Sequence, residues 1–204
     1  MTRRAALLRA LGAHRAEFAD TLDALPSEAV HRSPAPGAWS LAQLAEHFVL
    51  IDGGLRSDGP VAGRAARATS GARCLATRSV LALPLRIQGP PSARYVMPSA
   101  APRWPEVRER WGRLRARWRE AEVRPGAVAF LHPIAGPFLA DDALAFLLAH
   151  HRHHDAQVRR TLAALSGAGL VPAARSRGGG GPCAARASGD RAGIAPVTPA
   201  GTVR

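Results

Sequence analysis

The stretch Leu148-Ala149-His150-His151-Arg152-His153-His154-Asp155-Ala156-Gln157 places four histidines in five residues near the end of a helical pattern. Around it Ala143, Phe146, Leu147 and Val158 recur at three- and four-residue spacings, so the segment reads as an amphipathic helix and not as a polar loop. Asp141-Asp142 open that helix favourably against its dipole, and it runs to about Leu165, stopping at Gly167. His150 and His154 stand four apart on its apolar face, with Cβ atoms about 6 Å from each other. Two imidazoles so placed can reach one metal ion at about 2.0–2.1 Å. His153 falls on the opposite face and is expected in solvent. His151 is intermediate, with Asp155 as an i,i+4 partner at the surface.

Three further helical patterns lie upstream. Leu7, Leu8, Leu11, Phe18, Leu22 and Leu25 predict a first helix over 4–24, closed before Pro26. Pro34, Pro36 and Gly37 mark a turn-rich linker, and Ser40 caps a second helix over 40–55 whose inward positions are Leu41, Leu44, Phe48, Ile51 and Leu55. Trp104, Val107, Trp111, Leu114, Trp118 and Ala121 define the third, with Glu106–Arg110 and Glu109–Arg113 as i,i+4 pairs on its outer face. That tryptophan stripe reads as core. Residues 56–103 sustain no period and are rich in Gly, Pro, Ser and Arg, so a short helix near 74–83 or partial disorder is expected there. Phe130–Pro137 is expected as a loop. The fold these patterns imply is all-α: a four-helix bundle over 1–166, with 56–103 as a long crossover between helices 2 and 3. A Gly/Ala/Arg/Pro-rich tail, 167–204, follows and is expected to be flexible.

Charge and composition narrow the function. The net charge is +13, and every one of the 28 basic residues is arginine, as a GC-rich coding bias produces. By segment the charge is about −1 over 1–55, +7 over 56–103, +3 over 104–166 and +4 over 167–204. The excess therefore sits in the crossover and tail, without the exposed aromatics or recognisable motif of a dedicated nucleic-acid surface. Nucleic acid is not the expected partner. No apolar run approaches a membrane span, and Arg9 breaks the N-terminal apolar run too early for a signal peptide. Cys74 and Cys183 are too few and too far apart for a disulfide framework, so a cytoplasmic location is expected.

A third ligand must come from another buried helical position, and His47 lies between Leu44 and Ile51 on the inward face of the second helix. Three buried imidazoles without partners would be costly, and a shared ion satisfies them together. A lone inward histidine is nevertheless more often a hydrogen-bonded core residue, and a single HxxxH pair arises readily by chance. Spacing alone leaves both readings open.

The segment Pro34-Ala35-Pro36-Gly37-Ala38-Trp39-Ser40-Leu41-Ala42-Gln43-Leu44-Ala45-Glu46-His47 resembles the second-helix signature of the DinB-like superfamily, metal-dependent four-helix bundles. There a Gly-x-Trp-Ser approach precedes a helix bearing the first histidine ligand. His132-Pro133-Ile134-Ala135-Gly136 and the closing His150-x-x-x-His154-x-x-Gln157 resemble the family's HPxxG loop and last helix. The resemblance spans residues 4–165. It implies a three-histidine site, His47, His150 and His154, for a divalent ion such as zinc or nickel. Gln157 would then pack or support a ligand, and His132 would cap or pack its loop. Understood members include thiol-dependent transferases and isomerases, so a low-molecular-weight thiol is an expected cofactor. The resulting expectation is a metal-dependent thiol S-transferase or hydrolase acting on a small molecule, with a homodimer as a candidate assembly. A non-catalytic, stress-related metal-binding bundle is the alternative. No general base stands out: Glu46, Asp52 and Asp155 read as solvated helix-face acids.

Overall fold

Helix α1, Arg3–Asp23, starts where the Thr2 side chain accepts a hydrogen bond from the Ala5 amide, and it buries Leu11, Arg15, Phe18, Ala19 and Leu22 along one stripe. A short α2, Ser27–His31, follows Pro26. Helix α3, Leu41–Gly53, opens on a capping box: the Gln43 amide donates to Ser40 Oγ at 3.2 Å, and the Ser40 amide donates to Gln43 Oε1 at 2.9 Å. It is buried on nearly every face, Glu46, His47 and Asp52 included, so it forms the axis of the molecule. Helix α4, Arg64–Ala82, precedes a 3-10 turn over Pro91–Val96; helix α5 is Trp104–Glu120. Strands β1, Val128–His132, and β2, Gly136–Leu139, form an antiparallel hairpin that leads straight into α6, Ala140–His153, and then α7, Asp155–Gly167.

The computed structural model describes residues 2–83, 91–120 and 126–171. These lie in one compact unit, Met1–Ala173. Residues 172–204, most of the expected tail, fall outside the described residues, as does Ala121. The architecture is all-α apart from the hairpin. Helix α6 packs against α1 and α4, and α3 packs against α5. One apolar cluster joins Leu11, Phe130, Phe138, Phe146 and Leu147; the other joins Phe18, Leu22, Phe48, Trp104, Trp111 and Leu165. The tryptophan stripe of α5 is core, as its spacing predicts.

Three expectations are corrected. The crossover holds a 19-residue helix, α4, where a short one near 74–83 was expected. Its fully buried residues are the small Ser70 and Cys74, with Leu81 packed on the core only at its end, so the sequence shows no long apolar stripe. Ser70 Oγ donates to Asp142 Oδ2 at 2.6 Å and accepts from the Leu139 amide at 3.0 Å, while Cys74 Sγ donates to the Asp142 carbonyl at 3.1 Å. The stretch around 130–137 is a hairpin and not a loop, its turn closed by His132 and by Gly136 at φ +79°. Gly59 runs so close to β1 that an added Cβ would lie 1.8 Å from the Val128 carbonyl oxygen, which only glycine permits. The last helix is interrupted at His154, whose amide bonds to the His151 carbonyl in a tight 3.0 Å turn.

Between the helices lies a buried polar knot. Asp52 of α3, 2 % exposed, accepts from Arg15 of α1 at 2.6 Å, from Trp111 Nε1 of α5 at 2.7 Å and from His151 Nε2 of α6 at 3.2 Å. Burial alone would raise the Asp52 pKa; the Arg15 guanidinium and the hydrogen bonds from His151 and Arg15 outweigh it and hold the carboxyl far below its usual range. His151 is itself fully buried with its pKa lowered by desolvation, so it is neutral and donates from Nε2–H.

Removing one partner of such a knot strands a buried charge. Asp52→Ala should therefore lose about 3–5 kcal/mol in urea denaturation at pH 7. Because the folded pKa is depressed, the contribution is complete above the unfolded value of about 3.9 and disappears as pH falls below it. The gap between wild type and variant should accordingly be flat from pH 5 to 8 and close in stronger acid. A gap under 1 kcal/mol at pH 7 would show that the knot does not carry this load.

Candidate metal centre

Three elements deliver the histidines to one point. The inward face of α3 carries His47, the last turn of α6 carries His150, and the α6–α7 junction carries His154. His47 Nε2 lies 3.1 Å from His150 Nε2, and His154 Nε2 lies 3.2 Å from the same atom. One ligand atom from each residue falls within 4.8 Å of the others. Tetrahedral nitrogen ligands at about 2.0–2.1 Å from a metal stand roughly 3.3 Å apart, so the spacing is that of a coordination edge.

The outer nitrogens decide which way the lone pairs point. His47 Nδ1–H donates to the Val96 carbonyl at 2.7 Å, and His154 Nδ1–H donates to Gln157 Oε1 at 2.9 Å. Both rings thus present a bare Nε2 to His150. A single N–H on His150 Nε2 can satisfy one of those lone pairs and not the other. A divalent cation satisfies all three, so the donor set fits one.

Electrostatics favour the same state. Desolvation lowers the pKa of His47, against the Val96 hydrogen bond. It holds His150 well below the usual histidine value, helped by the His154 and His47 rings, and together with His47 it lowers His154 to about 3. Three neutral imidazoles are what a metal needs as ligands.

The surroundings correct several expectations about nearby residues. His151 is not a surface partner of Asp155; it is fully buried, stacks on Phe48 at 4.1 Å between centroids and bonds Asp52. Asp155 instead pairs with His14 at 2.8 Å. His153 is half-buried and donates from Nδ1 to the Leu81 carbonyl at 2.7 Å, joining α6 to the end of α4. Glu46 is buried, accepting from the Ser99 amide and hydroxyl, both at 2.7 Å, and from Arg110 at 3.2 Å. Burial raises its pKa, but these bonds win and lower it. His132 stays outside the cluster: its Nδ1 accepts from the Ile134 and Ala135 amides at 3.2 and 3.0 Å, so of the two roles expected of it, capping or packing, it caps.

Two features had escaped the sequence reading. The Val96 carbonyl that orients His47 belongs to the crossover, and a backbone oxygen has no sequence signature. Trp39, whose ring lies 5.0 Å from that of His47, had been noted as a motif residue without a contact. Together with His154 and Gln157 it lines a groove of about 1130 Å³.

Neutral burial has a consequence for stability. The unfolded histidines take up protons near pH 6.5 while the folded ones do not, so the folded state of the metal-free protein should weaken as pH falls below that value. Urea midpoints in chelator should decline from pH 7 to 4.5, each such histidine adding up to about 1.4 kcal/mol per pH unit. His150→Leu should flatten the decline; an unchanged slope would mean that His150 is protonated in the fold.

No curated protein and no solved structure matches the chain. The sequence model of the DinB superfamily matches residues 10–158, well over half of the chain and a span containing all three histidines. The chain belongs to the DinB superfamily.

Proposed function

We propose that His47, His150 and His154 bind one divalent transition metal, zinc or nickel, and that the protein is a metal-dependent enzyme acting on a small molecule in the adjoining groove. The observation that carries the reading is the pair of bare Nε2 atoms on His47 and His154, both turned toward His150 by hydrogen bonds on their far sides. Three imidazoles leave coordination positions open, the pattern of catalytic sites and not of closed structural ones. Such an ion, when bound, supplies Lewis acidity that lowers the pKa of a water or thiol ligand.

Among thiol transfer and hydrolysis, the neighbours favour thiol transfer. Hydrolysis benefits from a positioned general base, and each nearby carboxylate is already committed. Glu46 is held by Ser99 and Arg110, Asp52 by Arg15, Trp111 and His151, and Asp155 by His14. A low-molecular-weight thiol asks less of the protein: three neutral ligands, a dry wall and a place for its tail. Trp39 and Phe146 flank the imidazoles with apolar surface, their rings 5.0 Å from His47 and 5.6 Å from His150. The same shortage of a free acid or base also suits the second reading, a metal-binding bundle without turnover.

The test is metal content followed by activity. Protein reconstituted with zinc or nickel should hold about one ion per chain by elemental analysis, and His150→Ala should hold less than a tenth of that while keeping its helical circular dichroism. The loaded form should then transfer a small thiol to an electrophile such as an epoxide or maleate, with at least a hundredfold loss in His150→Ala. Wild-type protein that stays metal-free after reconstitution would overturn the reading. Full loading without turnover would favour the non-catalytic one.

A further inference from the structure

The groove beside the histidines carries charge of one sign. Arg78 of α4, Arg152 of α6 and Arg159 and Arg160 of α7 line it, and no aspartate or glutamate does. None of these four guanidiniums is in an ion pair with a carboxylate among the described residues, whereas Arg4, Arg15, Arg108 and Arg110 elsewhere in the fold each have one. The ends of α4 and α6 also border the groove, and a helix C-terminus carries about half a negative charge. Two such ends offset roughly one of the four positive charges. The groove stays strongly cationic.

Its position gives that charge a use. His154 and Gln157 line the groove together with the four arginines, so a molecule lying in it can meet both the His154 imidazole and the guanidiniums. His153 bonds the Leu81 carbonyl and so ties the end of α6, which carries Arg152, to the end of α4, which carries Arg78. Guanidinium groups are paired donors matched to carboxylates and phosphates, and their charge is insensitive to pH. The volume of about 1130 Å³ suits an extended small molecule at the upper end of ordinary ligand sites.

We propose that this groove binds a small molecule with two or more anionic groups, the carboxylates of an acidic thiol or acidic acceptor, and that Arg152 and Arg160 are specificity-determining residues. This rests on the thiol-transfer reading for what the molecule does at the histidines, but the anion preference is a property of the arginines. Both guanidiniums are exposed, so removing them leaves the core intact. The +13 charge of the whole chain makes nucleic acid the rival occupant. A groove between helices, walled by Trp39 and Leu148, confines a small molecule better than it follows a phosphate backbone.

Two probes separate the terms: mercaptosuccinate, a thiol with two carboxylates, and 1-thioglycerol, a neutral thiol of similar size. Their affinities are measured by calorimetry on zinc-loaded protein, with metal content determined on the same sample. Mercaptosuccinate should bind at least tenfold more tightly than thioglycerol. In Arg152→Ala/Arg160→Ala the preference should fall below threefold with the metal content unchanged. Equal affinity for the two thiols in wild type, or a preference that survives in the double variant, would overturn the assignment. So would a 20-base-pair DNA duplex that binds more tightly than mercaptosuccinate and is lost in the double variant. Should the protein refuse metal, the metal reading fails by itself. Succinate against neutral succinamide on the metal-free protein then decides the arginines, with the same tenfold and threefold expectations.

Discussion

The buried carboxylate of Asp52 is the point through which four helices are held in register. An ionised group without water must be surrounded by donors, and here the donors come from α1, α5 and α6 while the acceptor belongs to α3. An apolar core of Leu, Phe and Trp tolerates small slips of one helix along another. Two short charge-assisted or N–H bonds of 2.6 and 2.7 Å tolerate far less. The knot sits about one and a half turns beyond His47 on α3 and includes the residue beside His150 on α6. Whatever fixes Asp52 against His151 therefore fixes His47 against His150.

The site extends the same logic of polar groups finding partners. His47 is turned by a carbonyl of the crossover, His154 by Gln157 one turn away, and Phe48 stacks on His151 between the two polar clusters. Burial favours the neutral form of all three rings, so their inner nitrogens face one another without repelling charges. The crossover matters here more than its composition indicates. Glu46 and Gln43 tie Ser99 and Ala100 to α3, holding the strand of chain that ends in the Val96 carbonyl.

How much was legible in advance differs by segment for physical reasons. Helices α1, α3, α5 and the α6–α7 pair were readable because each buries large apolar side chains at helical spacing. Helix α4 was not, since the residues it buries are Ser70 and Cys74, and its alanines and arginines, good helix formers as they are, draw no apolar stripe. The hairpin was illegible for a related cause: it is short, its first strand is broken by a bulge between Val128 and Phe130, and the bridge from Val61 to Ala127 beside it is distant in sequence. His151 and Asp52 looked like surface residues because a 3.6-residue period assigns faces relative to one neighbour, whereas α3 and α6 have neighbours on several sides.

By itself the sequence determined the all-α class, the core stripes and the three histidines at positions where one turn of helix or one inward face would present them. Those follow from local periodicity and from residue chemistry, which are written in the chain at short range. Tertiary structure alone decided that the Nε2 atoms of His47 and His154 meet that of His150, that Val96 and Gln157 orient the His47 and His154 rings, and that Asp52 gathers Arg15, Trp111 and His151. Such partners lie between three and about a hundred residues apart, and several are backbone atoms common to every residue. A contact of that kind depends on where helices cross, and the crossing is set by the packing of the whole core.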